Sequence, residues 1–318
     1  MAAWIRGRRL WIAAVVIALP ALVAPIALAA SAAAIPSRLE RPARSAVGSR
    51  SDIYTIDLVT RRVRKITTAG DGAYYDGPTW SPRGDRIAFA GSLCDDCPDL
   101  DSRLYVASLR ARAITPIDLS VTPATRPSWS PRGNVLAFIG GTETAVDKVR
   151  IDGTGLATIV GGGTHDEAVW SPDGRRIAFT RQQPNGKWDI YVADVARHTE
   201  RALTHTAVSE EQPAWSPDGN RIAFARQGSN GGWSLYVMNA NGGTARRIGP
   251  RWAASSEDPA WSPDGSKLAF AAVTSSKAAV FVMHADGTAV QRVPTRTPLS
   301  YDPAWAPNGR TLAYVGSG

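Results

Sequence analysis

The residues Pro213-Ala214-Trp215-Ser216-Pro217-Asp218-Gly219-Asn220-Arg221-Ile222-Ala223-Phe224 decide the fold. They read as strand, tight turn, strand. Pro217 presets φ for the first corner of a type I turn, Asp218 suits the second, and Gly219 tolerates the left-handed conformation that follows. This chemistry predicts a short β-hairpin with a glycine bulge. Beyond the turn, Ile222 and Phe224 point to one face, Ala223 and Ala225 to the other. Both faces are apolar, so the strand is expected to be buried on both sides, with the small alanines letting a neighbouring sheet come close.

The same pattern recurs around Trp80, Trp129, Trp170, Trp261 and Trp305, giving six copies with Trp-to-Trp steps of 49, 41, 45, 46 and 44. A period of about 40–45 residues is that of a four-stranded propeller blade. In the Trp215 copy the four strands are expected at 214–216, 221–225, 233–239 and 245–248, with Asn239-Ala240-Asn241-Gly242 turning the third into the fourth. We refer to them as the first to fourth strands of a repeat.

Trp-Ser-Pro-Asp-Gly, then Ile-Ala-Phe, then a strand such as Leu235-Tyr236-Val237 running into Asn239-Ala240-Asn241-Gly242, resembles the PD40 repeat of the TolB-like β-propeller family. The resemblance spans Ser51 to Gly318 and implies an all-β, six-bladed propeller with four antiparallel strands per blade. The last copy stops after its second strand near Val315, while 52–58 and 62–67 look like third and fourth strands with nothing before them. Two strands alone are marginal in water. Pairing 302–316 with 52–67 is therefore expected to complete the last blade and close the ring without an exposed inner edge.

The chain has 318 residues and a net charge of +8. Arg6, Arg8 and Arg9 are the only charges before Ala34, leaving +5 for the rest. They precede an apolar run from Leu10 to Ala34 that ends in small residues, the pattern of a secretory signal. The run is also long enough to span a bilayer if left uncut. Residues 1–34 are thus read as a signal peptide or membrane anchor, 35–50 as a Pro-, Arg- and Ser-rich flexible linker, and 51–318 as the propeller. Either reading of the leader places the propeller outside the cytoplasm, in the periplasm, the cell envelope or the extracellular space, with membrane contact only through 10–34. Full TolB proteins carry an α/β domain ahead of the propeller, for which residues 1–50 leave no room, so none is expected.

Acidic residues collect three and four places before the repeat tryptophans: Asp76, Asp166, Glu167, Glu211, Glu257, Asp258 and Asp302. The Trp129 copy has Thr125 and Arg126 instead. These positions lead into the first strand, so the acids are expected to gather at one mouth of the central channel. There they would bind a cation or the basic groups of a partner, or cap backbone N–H groups of their own or the adjacent blade. Tyr75, His165, His205, Trp252 and Tyr301 belong to the same loops, and aromatic faces beside carboxylates suit peptide or sugar recognition. His165 and His205, on successive blades, are the candidates for a transition metal.

Cys94 and Cys97 flank two aspartates in a long loop, and in an exported chain a disulfide is expected between them. The basic residues sit largely on outer strands, where charge keeps sheets from adding to one another. Scattered charge on an exported chain argues against nucleic acid. The sequence holds no G-x-S-x-G, H-E-x-x-H or phosphate-loop motif. The expected function is a monomeric, non-catalytic binding module that needs no cofactor and holds an envelope or extracellular protein at the acidic, aromatic-lined mouth. The alternatives are a propeller that binds or cleaves polysaccharide with a divalent cation at the same mouth, and a structural scaffold.

Overall fold

The computed structural model describes residues 50–68, 73–92, 102–141, 144–274 and 277–317. The leader, the linker up to residue 49, and Cys94 with Cys97 lie outside the described residues. Within them the chain is built of strands: β1 (Ser51–Asp57), β2 (Val63–Lys65), β3 (Tyr74–Trp80), β4 (Arg86–Ser92), β5 (Arg103–Ser108), β6 (Ala113–Pro116), β7 (Ala124–Trp129), β8 (Val135–Gly140), β9 (Ala145–Arg150), β10 (Ala157–Val160), β11 (His165–Trp170) and β12 (Arg176–Gln182). There follow β13 (Trp188–Asp194), β14 (Thr199–Ala202), β15 (Glu210–Trp215), β16 (Arg221–Gln227), β17 (Trp233–Asn239), β18 (Arg246–Arg247), β19 (Ser255–Trp261), β20 (Lys267–Thr274), β21 (Lys277–His284), β22 (Gln291–Arg292), β23 (Leu299–Trp305) and β24 (Thr311–Ser317). Among the described residues no helix is long and apolar enough to cross a membrane.

The turn between first and second strands forms as its residues dictate. The Gly219 amide donates to Ser216 O at 2.9 Å, Ser216 Oγ accepts from Arg221 N at 2.9 Å, and Asp218 Oδ1 accepts from Asn220 N at 3.0 Å. Gly219 has φ +70°, a conformation that only glycine adopts without strain. The first strand is longer than expected, starting at Glu210 rather than Ala214. A bulge between Glu211 and Ala214 lets the strand run through Pro213, which has no N–H to give to a ladder.

The sequence predicts six separate four-stranded blades, and the structure corrects this. Four separate blades form, β7 to β10, β11 to β14, β15 to β18 and β19 to β22. The other eight strands make one sheet in the order β23-β24-β1-β3-β4-β5-β6, with β2 paired to β1. The join is a parallel pairing of Ser51 with Tyr74. Ser51 Oγ secures it, donating to Tyr75 O at 2.9 Å and accepting from Tyr75 N at 3.2 Å. Backbone polar groups brought side by side find partners in each other, which is why two repeats merge there.

Within that sheet the first and last strands of the described residues meet. β24 pairs antiparallel with β1 over seven residues, from Ser51↔Ser317 to Asp57↔Thr311. Tyr54 stacks on Tyr314 at 5.5 Å, and Arg310 Nε donates to Asp57 Oδ2 at 2.9 Å. The Thr60 amide and then Arg310 hold the Asp57 carboxyl down at about 2. The core lies between the faces of neighbouring sheets. Ile222 and Phe224 pack with Ile190, Val192 and Leu203 of the preceding blade, whereas Ala223 and Ala225 face Leu268 and Phe270 of the next. Phe89, Phe138, Phe179, Phe224, Phe270 and Tyr314 occupy one repeat position and all are fully buried. Each such side chain is worth about 1.5–3 kcal/mol on transfer from water. The repeat tryptophans tie the joints: the Nε1–H groups of Trp80, Trp129 and Trp261 donate to the carbonyls of Ala304, Thr79 and Ala214, each in the preceding repeat.

Two outcomes follow from this closure. A chain ending at Pro298 strips β24 from the flank of β1 and is expected to lose its cooperative thermal transition in circular dichroism; a normal melt would refute the closing role of the last two strands. Asp57 and Asp264 titrate at about 2, the latter through Ser262 Oγ and the Ser266 amide, and Asp173 and Asp218 are lowered chiefly by Ser171 and Ser216. A carboxyl lowered in the folded state contributes stability above its unfolded value near 3.8, and that contribution is lost as pH falls toward 2. The urea midpoint is therefore expected to drop between about pH 4 and 2, and to drop less in Asp57→Asn/Asp264→Asn. Glu210, pushed up by burial, acts in the opposite sense.

Candidate functional site

Every first strand carries the same irregularity. Register shifts fall between Asp76 and Thr79, Thr125 and Ser128, Asp166 and Val169, Glu211 and Ala214, Glu257 and Ala260, and Tyr301 and Ala304. The residue three places before each tryptophan sits in that bulge with positive φ: Gly77 (57°), Arg126 (56°), Glu167 (57°), Gln212 (60°), Asp258 (52°) and Asp302 (47°). The left-handed region costs a non-glycine residue roughly 1–2 kcal/mol, and such strain persists only where neighbours fix it. Here the neighbours do fix it, and the six residues line the central channel.

The fixing is a relay of side chain to backbone. Glu167 Oε2 accepts from Gln212 N at 2.5 Å, and Gln212 Oε1 accepts from Asp258 N at 3.0 Å. Asp258 Oδ2 accepts from Asp302 N at 3.3 Å, and Asp302 Oδ2 accepts from Gly77 N at 3.2 Å. Gln212 Nε2 also donates to Asp258 Oδ1 at 2.6 Å. Each side chain thus satisfies the bulged amide of the next repeat. Gly77 has no side chain to pass the relay on. On the far side of that gap, Arg126 also reaches forward to the next repeat, but as a cation, with Nε 3.5 Å from Asp166 Oδ1 and a terminal nitrogen 3.7 Å from Glu167 Oε1. The channel has a volume of about 190 Å³ and is lined by these six residues with the one or two that follow each. Its lining holds one guanidinium and three carboxylates, a net charge of −2.

The acids and aromatics predicted at the mouth divide accordingly. Glu167, Asp258 and Asp302 line the channel, and the others stand back from it. Asp76 and Asp166 are half-buried one place earlier in their strands, Asp166 accepting from Glu167 N at 2.8 Å. Glu211 and Glu257 are buried, and Glu257 accepts from Ser255 Oγ at 2.7 Å. Tyr75 and Tyr301 are core residues; Tyr75 meets Phe89 edge-on at 5.2 Å, and burial pushes its hydroxyl up. His165 is buried against the edge of Phe179, with Nδ1 3.1 Å from Thr144 O, and burial lowers its pKa. His205 is exposed. Trp252 is 54% exposed and covers Phe281 at 5.2 Å. Among the described residues no group of three His, Cys, Asp or Glu side chains is placed to hold a metal.

Gly77, Arg126 and Gln212 belong to the ring but escape a search for acids. Position, rather than chemistry, identifies them: each lies three residues before a repeat tryptophan, and five of the six ring residues directly precede a proline, Pro78, Pro127, Pro213, Pro259 or Pro303.

Residues 45–212 and 168–318 match the family model described as the TolB beta propeller domain. No curated protein matches the sequence. Among solved structures, the chain is similar to a TolB-assigned protein of Agrobacterium tumefaciens, at 23% identity and a TM-score of 0.73, covering 85% of this chain and 99% of that one. It is similar to TolB from Acinetobacter baumannii at 19% identity and 0.66, covering 81% and 66%. An oligogalacturonate lyase in complex with manganese shares the fold at 14% identity and 0.57, covering 84% and 83%.

The relay predicts an asymmetry between substitutions at one site. Asp258→Ala leaves the Asp302 amide without its acceptor and is expected to cost roughly 1–3 kcal/mol in urea unfolding. Asp258→Asn keeps an acceptor for the Asp302 amide and gives up only the Gln212 Nε2 contact, so it is expected to cost less than Asp258→Ala. Equal costs would remove the relay as the reason for the bulge.

Proposed function

The chain belongs to the TolB β-propeller domain family, and on that footing we propose that it is an exported, non-catalytic module that binds a protein through its channel. The segment bound is one that presents a basic side chain. The observation that carries this reading is the channel itself: a cavity of about 190 Å³ whose lining has a net charge of −2. Small-molecule clefts span about 300–1,000 Å³. The channel is below that range, with room for one long side chain and not for a sugar chain. Its carboxylates are held in place by backbone amides, so they meet a ligand as fixed charges, without reorganising on binding. A lysine or arginine entering from a partner finds Asp258 and Asp302 on one side, with Arg126 across the gap at Gly77 to exclude a second cation. Export rests on the basic residues and apolar run of 6–34.

One observation favours a second reading. Trp252 holds a large aromatic face in solvent, which suits stacking on a sugar ring. In that case polysaccharide binds across the loops, outside the channel, and a divalent cation at the mouth would accompany it.

The test uses substitutions that preserve the relay's acceptors. Asp258→Asn/Asp302→Asn removes two negative charges and keeps the backbone contacts. Capture from cell-envelope extract by this variant is expected to lose the partner that wild type retains, while Trp252→Ala retains it. Recovery of the same proteins at the same yield from Asp258→Asn/Asp302→Asn would eliminate the channel. Loss in Trp252→Ala alone, with glycan binding by the wild type, would select the second reading.

A further inference from the structure

Five joints between successive repeats nest in the same way. The turn glycine of one repeat lies against the turn proline of the repeat before: a Cβ built on Gly84, Gly133, Gly174, Gly219 or Gly265 would meet Pro307, Pro82, Pro131, Pro172 or Pro217 at 3.3–3.9 Å. At two of these joints the first residue of a second strand also caps the next tryptophan, with Arg176 4.7 Å over Trp215 and Arg221 4.6 Å over Trp261. The sixth joint, between the β19–β22 blade and the strands that close the ring, is different. Nothing lies within 4 Å of the corresponding position on Gly309. The place of Arg176 and Arg221 is taken by Lys267, which has no guanidinium plane to lay on Trp305. The joint opens into a cavity of about 330 Å³.

The cavity is lined by Arg61, Lys267, Arg292 and Arg310 above an apolar floor that includes Trp305 and Val293, and no lining residue is acidic. All four cations are exposed. Among the described residues the only carboxylate ion-paired with any of them is Asp57, through Arg310. One negative charge against four leaves a local excess of +3. At the rim Val59 is 74% exposed, the most exposed large apolar side chain among the described residues.

We propose that this open joint is a binding site for a phosphoryl group carried on a small apolar or ring-sized body. The volume falls within the range of ligand clefts, about 300–1,000 Å³. Arg61 and Arg292 present planar forks that pair with phosphate oxygens two at a time, while the fork of Arg310 is held by Asp57. A phosphomonoester carries about −1.5 to −2 at neutral pH and so answers the excess better than a carboxylate. Trp305, Val293 and the exposed Val59 give the body of the ligand an apolar surface. The site lies at the turn end of the strands and is independent of the channel.

The ligand comes either as a free phosphorylated molecule or as a lipid headgroup, and the probes separate these sources. Phenyl phosphate is titrated into the full chain by calorimetry at 0.1 M salt, with benzoate as the carboxylate comparison. Co-sedimentation is measured with phosphatidylglycerol and with phosphatidylcholine vesicles. Phenyl phosphate is expected to bind at least tenfold more tightly than benzoate. Lys267→Glu/Arg292→Glu is expected to weaken it at least tenfold, and Arg247→Glu, on an outer strand elsewhere, to leave it unchanged. Lys267→Arg keeps the charge and should fold, but its guanidinium fills the space over Trp305; binding is expected to fall several-fold. Binding of phenyl phosphate without sedimentation assigns a free ligand. Sedimentation with phosphatidylglycerol alone, displaced by phenyl phosphate and lost in the double variant, assigns a headgroup. The proposal is overturned if neither probe binds, if benzoate binds as well as phenyl phosphate, or if the double variant binds undiminished.

Discussion

The seven-residue ladder between β1 and β24 is the constraint on which the rest depends. A run of four-stranded sheets packed face to face has two free ends, each with an apolar face and an unpaired edge. Water tolerates the first poorly, and aggregation exploits the second. Joining the ends removes both costs at once, because the closing strands pair with each other and Ile53, Tyr314 and Val315 become core residues. Trp80 then finds the Ala304 carbonyl across the seam just as Trp129 and Trp261 find theirs within the chain. The channel exists only because the seam is shut: Asp302 and Gly77, from opposite ends of the sequence, are neighbours in its wall.

Closure imposes crowding at the axis, and the bulge is the answer to it. Six first strands converge there, each with one residue at positive φ, and the amides of Gln212, Asp258, Asp302 and Gly77 point out of their own ladders. An unsatisfied amide in that position costs about 1–3 kcal/mol. Four repeats supply a side-chain acceptor to the next, all in the same rotational direction around the ring. Under the proposed function the same carboxylates would serve structure and binding: one oxygen settles a backbone group, and the charge remains in the channel. The outer joints show the converse. Where Arg and Pro fill the space the seam is tight, and where Lys267 and Gly309 leave it empty a cleft remains.

Much of this was legible in the residues. Pro217, Asp218 and Gly219 specify a turn by local conformational preference alone, and the alternation of Ile222, Ala223 and Phe224 specifies a strand buried on both faces. Such signals do not depend on distant contacts. The pairing of 302–316 with 52–67 also follows from counting strands, whereas the merging of two repeats through Ser51 and Tyr74 does not. That join depends on how close two edges come, which no periodicity encodes. The site was legible only in part. Acidity pointed to Asp258, Asp302 and Glu167, but equally to Glu211 and Glu257, which are buried one residue away. A bulge reverses the sense of the alternation, so adjacent acids part company at a place the pattern does not mark. Tyr75 and Tyr301 illustrate the same effect: loop-like neighbours suggested a mouth, and the strands carry them into the core.

Sealing the ring with its own tail has a consequence for biosynthesis. Asp57 and Arg310 are 253 residues apart. At translation rates of about 5–20 residues per second, roughly 13–50 s separate their emergence from the ribosome. Throughout that interval β1 lacks its longest ladder, and the three-residue pairing with β2 is marginal by itself. The seam therefore cannot shut until the last seven-residue strand arrives.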